Sequence, residues 1–248
     1  MATVGRSDQI TPLTVIYPFY RNYRFLIRQL ATWAAYTADI QLALSVILID
    51  DCSDPPLALW RPQGSRMGNR IRLFRIDIDV RWNWLAARNI GAYHAADGWL
   101  LLTDIDHVIP TYTLRSVVYG VHDSAKVYAF GRQEHTGKII APHSASFLMT
   151  RELFWRIGGY DEALSGHYGT DGEYRRRMAK VARLELLPVP LIRHEYVEDS
   201  STTEYKRKQP EDGRVRELIA KRGRGWRPLT LSFPYHEVPL HGEASCQC

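Results

Sequence analysis

A chain of 248 residues, 45% apolar and 24% charged, has the composition of an ordinary globular protein and the length for one large α/β domain or two small ones. No apolar run approaches the roughly 18 residues of a membrane span. MATVGRSDQI lacks the apolar core of a signal peptide, and Cys52, Cys246 and Cys248 form neither a disulfide framework nor a zinc pattern. A membrane-spanning or disulfide-stapled secreted protein is therefore not expected, and a cytoplasmic one is. The net charge of +5 is uneven: from Lys206 to Arg227 nine basic residues face three acidic ones, +6, which leaves the rest of the chain at −1.

Leu13 to Tyr17, β-branched and bounded by Pro12 and Pro18, predicts a buried strand. Asn22 is a suitable cap for a helix to about Tyr36, with Phe25, Leu26, Leu30 and Trp33 on its apolar face. Leu42 to Ile49 predicts a second strand, running into Asp50-Asp51-Cys52-Ser53-Asp54-Pro55-Pro56, and Pro55 to Gly68 a loop. A third strand is expected over Ile71 to Ile76, then an Ala-rich helix from Leu85 to Ala96 stopped by Asp97-Gly98. Trp99 to Leu102 reads as a short strand buried on both faces. Helices are expected over Thr111–His122, Arg151–Ile157 and Asp171–Val181, and strands over Lys126–Phe130, Ser146–Thr150 and near Leu184–Leu187. Beyond about Ser200 the composition turns polar and basic, with helical turns only near Val215 to Ala220. The expected organisation is a domain over residues 11–200 followed by a partly ordered basic tail, 201–248.

Strand–helix alternation of this kind implies an α/β fold with a mostly parallel sheet between helices. Three predicted strands end in polar clusters: Pro18-Phe19-Tyr20-Arg21, Asp50-Asp51 and Thr103-Asp104-Ile105-Asp106-His107. In a parallel sheet these ends share one edge, where open α/β sheets bind ligands. Carboxylates and an imidazole suit Mg2+ or Mn2+, and such an ion can neutralise a departing diphosphate. Asp-x-Asp alone is a weak pattern, and Asp77-Ile78-Asp79 is a second copy. Asp50-Asp51 also suits a turn initiator.

LTVIYPFYRN, VILIDDCSDPP, LAARNIGAYHAADGWLLLTDIDHVIP and FLMTRELFWRIGGYDEALSGHYGTDGEYRRRM occur in that order. Together they resemble the successive motifs of nucleotide-sugar glycosyltransferases of the GT-A fold, family 2-like in the first half, over roughly residues 13 to 195. The resemblance implies a Rossmann-like single domain. It selects Asp104 and Asp106 as the metal motif, because in the family that motif follows the helix carrying Arg88-Asn89-Ile90-Gly91. It assigns nucleotide contacts to Pro18, Phe19, Arg21 and Asp51 or Asp50, and places Arg88 and Asn89 along the nucleotide-sugar pocket. The second half resembles the galactosyltransferase branch, in which a Gly-rich loop carries Glu-Asp ahead of a helix. The matching base is Asp171, at a helix start where the dipole favours a carboxylate. Thr170 stands where that branch has Glu, which makes Glu173 a reserve, and a plain helix cap is the structural alternative for Asp171. His194, ending Leu191-Ile192-Arg193-His194, matches a metal-ligand histidine, with His107 the alternative. Trp82 and Tyr168 are the aromatic residues best placed to pack on a sugar.

The function expected from these residues is metal-dependent, inverting transfer of a sugar from a nucleoside diphosphate sugar, a UDP-sugar for preference, to an acceptor hydroxyl. Asp171 would take the hydroxyl proton as the anomeric carbon is attacked in line. A nucleotidyltransferase is the rival enzyme, although YPFYRN lacks the glycine-rich loop such enzymes carry after the first strand. A non-catalytic module binding a glycan or polyanion is the rival of another class. The run from Lys206 to Arg227 is either a solvated tail or a surface for nucleic acid or anionic lipid. The acceptor has no motif: a glycan, a lipid-linked sugar or a modified nucleic-acid base all fit.

Overall fold

The computed structural model describes residues 10–59, 67–194 and 214–240. Of the basic run, Lys206, Arg207 and Lys208 fall outside the described residues, as does much of the loop expected between Pro55 and Gly68. The first half alternates strand and helix: β1 (Leu13–Phe19), α1 (Tyr23–Ala34), α2 (Ala38–Ala43), β2 (Leu44–Asp50), β3 (Ile71–Ile76), α3 (Trp84–His94) and β4 (Trp99–Leu102). Then follow β5 (His107–Val108), α4 (Thr111–Val118), β6 (Lys126–Glu134), β7 (Ile139–Ile140), β8 (Phe147–Thr150) and α5 (Arg151–Ile157). A 3-10 turn at Glu162–Leu164, α6 (Asp171–Val181), β9 (Arg183–Arg193), α7 (Arg214–Ala220) and β10 (Tyr235–Val238) complete the described chain.

One ten-stranded sheet has the order β10-β3-β2-β1-β4-β8-β6-β9-β5, with β7 beside β6. Its central run β3-β2-β1-β4 is parallel throughout. The pairings of β8 with β4 and β6, and of β10 with β3, are antiparallel. The register Leu13↔Leu44 and Leu13↔Trp99 brings the carboxyl ends of β1 and β2 level, with β4 ending opposite Ile16, so that all three strands run out towards one edge.

Each central strand is apolar on both faces because both are covered. Val15, Tyr17, Val46, Leu48 and Leu101 pack with Phe25 and Trp33 of α1, Ile40 of α2 and Leu114 and Val117 of α4. Ile16, Ile47, Ile49, Leu100 and Leu102 pack with α3, α5 and α6 through Ala87, Ile90, Phe154, Tyr174 and Met178. The alanines of α3 have a packing reason. Every residue from Leu85 to Ala92 is buried, so the helix is enclosed all round, and Ala86, Ala87 and Ala92 let it pack closely while Arg88 is enclosed in the site. Gly91 has the same cause, since a Cβ there would overlap Ile16. Gly158 takes φ +99° as the cap of α5, a left-handed conformation suited to glycine.

Besides the short strands β5 and β7 and the longer β6 and β9, two regions differ from the sequence expectation. The chain forms a short helix, α2, up to Ala43, because Ile40 and Ala43 present an apolar face to the sheet. Residues 214–240, expected mainly as a polar tail, fold back onto the body. Val215 is buried in the α3–α6 layer with Leu218, Ile219, Leu231 and Phe233 against it, and β10 pairs antiparallel with the edge strand β3.

Candidate active site

The site begins where β1, β2 and β4 end. After β1, Pro18 is half-buried and Phe19 buried, its ring 5.2 Å edge-on from Tyr23. Arg21 adopts φ +56°, its backbone N–H donates to Ser53 Oγ at 3.0 Å, and its exposed guanidinium lies 4.9 Å over the Tyr20 ring.

The two aspartates after β2 have different surroundings. Asp50 accepts from the backbone N–H of Ser53 at 3.0 Å and of Leu57 at 3.1 Å, and pairs with Arg75. Its carboxylate folds the following loop and is fully engaged. Asp51 accepts from the Asn83 N–H at 3.2 Å through one oxygen; the other, Oδ1, is buried with no hydrogen-bond partner among the described residues. Burial drives the Asp51 carboxyl well above the usual range, against the Asn83 N–H and with help from Asp79 and Asp50. An unsatisfied buried carboxyl oxygen at a strand end is a ready partner for a ligand N–H or hydroxyl. The second Asp-x-Asp is otherwise employed: Asp77 lies 2.7 Å from His236, and Asp79 accepts from the Tyr20 hydroxyl at 3.4 Å.

From α3, Arg88 is completely buried, its guanidinium 4.6 Å from the Trp84 ring and 5.5 Å from that of Tyr160. It donates to the Tyr160 hydroxyl at 3.1 Å and to Asp104 Oδ1 at 2.6 Å. Burial opposes its charge, but the Tyr160 and Asp104 oxygens more than compensate and raise its pKa. Its neighbour Asn89 holds the turn after α5 instead. The amide N–H2 donates to Tyr160 O and Glu162 Oε1, both at 2.8 Å, and its oxygen accepts from the Tyr160 N–H at 2.8 Å.

Asp104 therefore has one oxygen on Arg88 and the other, Oδ2, 3.4 Å from His143 Nε2, with the side chain 40% exposed. Asp106 Oδ1 lies 2.6 Å from His107 Nδ1, and its Oδ2 3.9 Å from Arg193 Nε. His107 Nε2 accepts from Arg132 Nε at 2.8 Å, which leaves the ring proton on Nδ1. Burial would raise the Asp106 pKa, yet His107, His143 and Arg193 hold it below the usual carboxylate range. His194 donates its backbone N–H to Asp106 O at 2.8 Å and stacks on Phe25 at 5.4 Å. Its Nε2 is buried without a hydrogen-bond partner among the described residues, and burial and Arg28 push its pKa down to about 4.

His143 joins the site without any sequence signal. It sits in the loop between β7 and β8, Nδ1 2.8 Å from Ser146 Oγ, and burial pushes it down to about 4, so the ring is neutral. Asp171 is the first residue of α6, half-buried, its Oδ2 accepting from Ser144 Oγ at 2.6 Å. Its charge, like that of Asp104, acts on Arg88 and Tyr160. The helix cap is Thr170, not Asp171. Glu173 is committed elsewhere: Arg177 grips it at 2.8 and 2.9 Å, Arg222 of the C-terminal segment donates at 2.7 Å, and the two arginines lower its pKa against burial.

Residues 14–174, most of the parallel sheet and the site, match the family profile of Glycosyl transferase family 2. The chain belongs to that family.

Among solved structures, this family 2 chain is similar to S. aureus TarS residues 1–349 in complex with UDP-GlcNAc (13% identity, 77% of this chain and 61% of that one, TM-score 0.58). It is also similar to a mannosyltransferase from Pyrobaculum calidifontis in complex with GDP-Man and Mn2+ (16% identity, 88% and 71%, TM-score 0.53). A third likeness is to the catalytic domain of Drosophila β1,4-galactosyltransferase 7 complexed with xylobiose (14% identity, 88% and 83%, TM-score 0.56). At such identities the likeness is one of fold, and the fold is GT-A. The chain spans about three fifths of the TarS fragment. No curated protein matches it.

Among the described residues no three His, Cys, Asp or Glu side chains form a ready metal cage. The donors suit a different kind of site. Mg2+ is commonly held by one or two carboxylates with substrate phosphates and water completing its shell. Asp104 Oδ2 and the neutral His143 Nε2 are such a partial set, and a bound diphosphate would supply the remainder. Trp82 and the exposed Tyr168 meet edge-on at 5.3 Å. Among the described residues no helix is long and apolar enough to cross a membrane.

Proposed function

We propose that this family 2 chain transfers a sugar from a nucleoside diphosphate sugar, a UDP-sugar, to an acceptor hydroxyl with inversion at the anomeric carbon. The observation that carries the reading is that adjacent residues, His143 and Ser144, touch Asp104, itself bound to Arg88, and Asp171, whose Oδ1 makes no hydrogen bond among the described residues. Asp51, with its spare buried oxygen, takes the nucleobase, and Pro18 and Phe19 form the wall beside it. Arg21 is the exposed cation that would meet a phosphate. Mg2+ or Mn2+ held by Asp104, with His143 or Asp106 and His194 as neighbouring donors, would supply charge neutralisation to the leaving diphosphate. Arg88 holds the Asp104 carboxylate in place through its hydrogen bond to Oδ1. Asp171 accepts the proton of the attacking hydroxyl on the opposite side of the sugar, and a base there implies inversion. Trp82 and Tyr168 pack against a sugar face. The free thiol of Cys52 suits a reducing cytoplasm.

Incubation with a panel of UDP- and GDP-sugars, with Mn2+, Mg2+ or EDTA, tests this reading through release of the nucleoside diphosphate. UDP release from one donor, dependent on metal, is the expected outcome. Release of pyrophosphate from a nucleoside triphosphate would favour a nucleotidyltransferase, and tight donor binding with no turnover a non-catalytic module.

A further inference from the structure

The loop between β7 and β8 touches both carboxylates with adjacent residues. His143 Nε2 faces Asp104 Oδ2, and the next side chain, Ser144, donates to Asp171 Oδ2 at 2.6 Å. The loop itself is anchored. Ser146 Oγ is hydrogen-bonded to Thr103 Oγ1 at the end of β4, 2.9 Å, and to His143 Nδ1, 2.8 Å, and both Ser146 and Thr103 are buried. Ser144 is thus a hydrogen-bond donor on a loop tied to Thr103 after β4 and directed at Asp171.

We propose that Ser144 is a positioning residue for Asp171: its hydroxyl pins Oδ2, so that Oδ1 is presented to the acceptor hydroxyl. The inference rests on Asp171 being the base. Asp171 needs such a partner because it is the first residue of its helix, half-exposed, with no other hydrogen bond to its carboxylate among the described residues. A carboxylate free to rotate about χ2 would offer its basic oxygen in the right direction only part of the time. A charge-assisted hydrogen bond at 2.6 Å removes that freedom. The step balances: the acceptor O–H bond breaks as the O–C1 bond forms, the C1–O bond to the β-phosphate breaks and its electron pair leaves on the nucleoside diphosphate, and the proton moves to Asp171 Oδ1, while the Ser144 proton stays on its oxygen.

The experiment compares wild type with Ser144→Ala, Ser144→Thr, Asp171→Asn and the Ser144→Ala/Asp171→Asn double variant. X-ray structures with UDP and Mn2+ read the Asp171 conformer; UDP release from UDP-GlcNAc, water serving as acceptor, reads turnover; calorimetry reads UDP affinity. Ser144→Ala is expected to leave UDP affinity unchanged, to spread Asp171 over more than one rotamer, and to slow turnover about tenfold to a hundredfold. Ser144→Thr should restore both, and the double variant should be no slower than Asp171→Asn. An Asp171 side chain that keeps its single conformer in Ser144→Ala overturns the inference, as does a double variant markedly slower than Asp171→Asn. Normal turnover by Asp171→Asn refutes the base assignment instead, and where wild type releases no UDP the conformer alone decides about Ser144.

Discussion

At the scale of single residues, the site separates side chains that look equivalent in a motif. Asp50 and Asp51 are adjacent, yet one is fully engaged in folding its loop and the other keeps a buried oxygen open. Asp51→Asn is therefore expected to weaken UDP binding at least tenfold while leaving the melting temperature near wild type, whereas Asp50→Asn should lower stability first, because Arg75 loses its partner. Calorimetry alongside a thermal melt distinguishes the two. Asp104→Asn keeps an acceptor for Arg88 but removes the charge, and should abolish the metal dependence of UDP affinity. Asp77→Ala is the control and should bind as wild type does. For the base, Asp171→Asn should retain donor affinity and lose turnover by about two to four orders of magnitude; a variant that turns over normally would remove Asp171 from the chemistry.

At the scale of elements, the parts that can be read from sequence are those whose burial is local. Trp99–Leu102, Ile71–Ile76 and Asp171–Val181 are apolar runs or capped periodic stretches, and the structure places strands and a helix at those bounds. Tyr235–Val238 gives no such signal, since its pairing with β3 is a contact between residues about 160 apart and its outer residues are polar. The site divides in the same way. Asp104 and Asp171 end or begin regular elements, so motif order reaches them; His143 and Ser144 lie in a loop, where histidine and serine carry no pattern. Asn89 and Glu173 belong to the motifs but hold structure together. Glu173 and Asp161 both receive Arg222, whose guanidinium lies 3.6 Å over Trp226. Arg222→Ala leaves the buried Asp161 without its ion-pair partner, while Glu173 keeps Arg177, and should cost roughly 3 kcal/mol in urea unfolding, despite lying outside the crevice. His94 adds a pH dependence at this junction. It stacks on Phe74 and lies 3.0 Å from the Tyr235 hydroxyl of β10, and burial, with Arg72, lowers its pKa. The unfolded chain, with an ordinary imidazole near 6.5, then binds more protons than the folded one below that pH. Stability should fall on acidification through this window and be unaffected by His94 above it; His94→Gln should flatten that limb of the denaturation midpoint against pH.

At the scale of the whole molecule, the excess positive charge sits on a segment that is partly built into the fold. Arg222 is engaged internally, while Arg214, Arg216, Lys221, Arg224 and Arg227 remain exposed. Polyanion contact through this surface is open to a direct measurement. Duplex DNA retention at two salt concentrations should drop when these five are changed to Gln, each lost phosphate contact lowering the salt slope by about 0.9. Equal, negligible retention by both proteins would mean that these charges only solvate the surface. Substitution is the informative route, because deleting residues 214–240 would strip β10 from the edge of β3 and uncover a strand prone to pair with other chains.

The contacts of that segment also set an order on synthesis. Glu162 receives the backbone N–H groups of Leu231 and Ser232, each at 2.7 Å, and Asp161 that of Leu229 at 3.0 Å. These carboxylates, Glu173, and the outer edge of β3 are all translated well before the residues that satisfy them. A ribosome carrying the chain only as far as Val181 would already display Asp104 and Asp171, yet would hold them on a body with a bare edge and unpaired acids beneath α6. Stalled nascent chains ending near 200 should accordingly be cut readily by protease, and resistance should arrive only once residue 240 has cleared the exit tunnel.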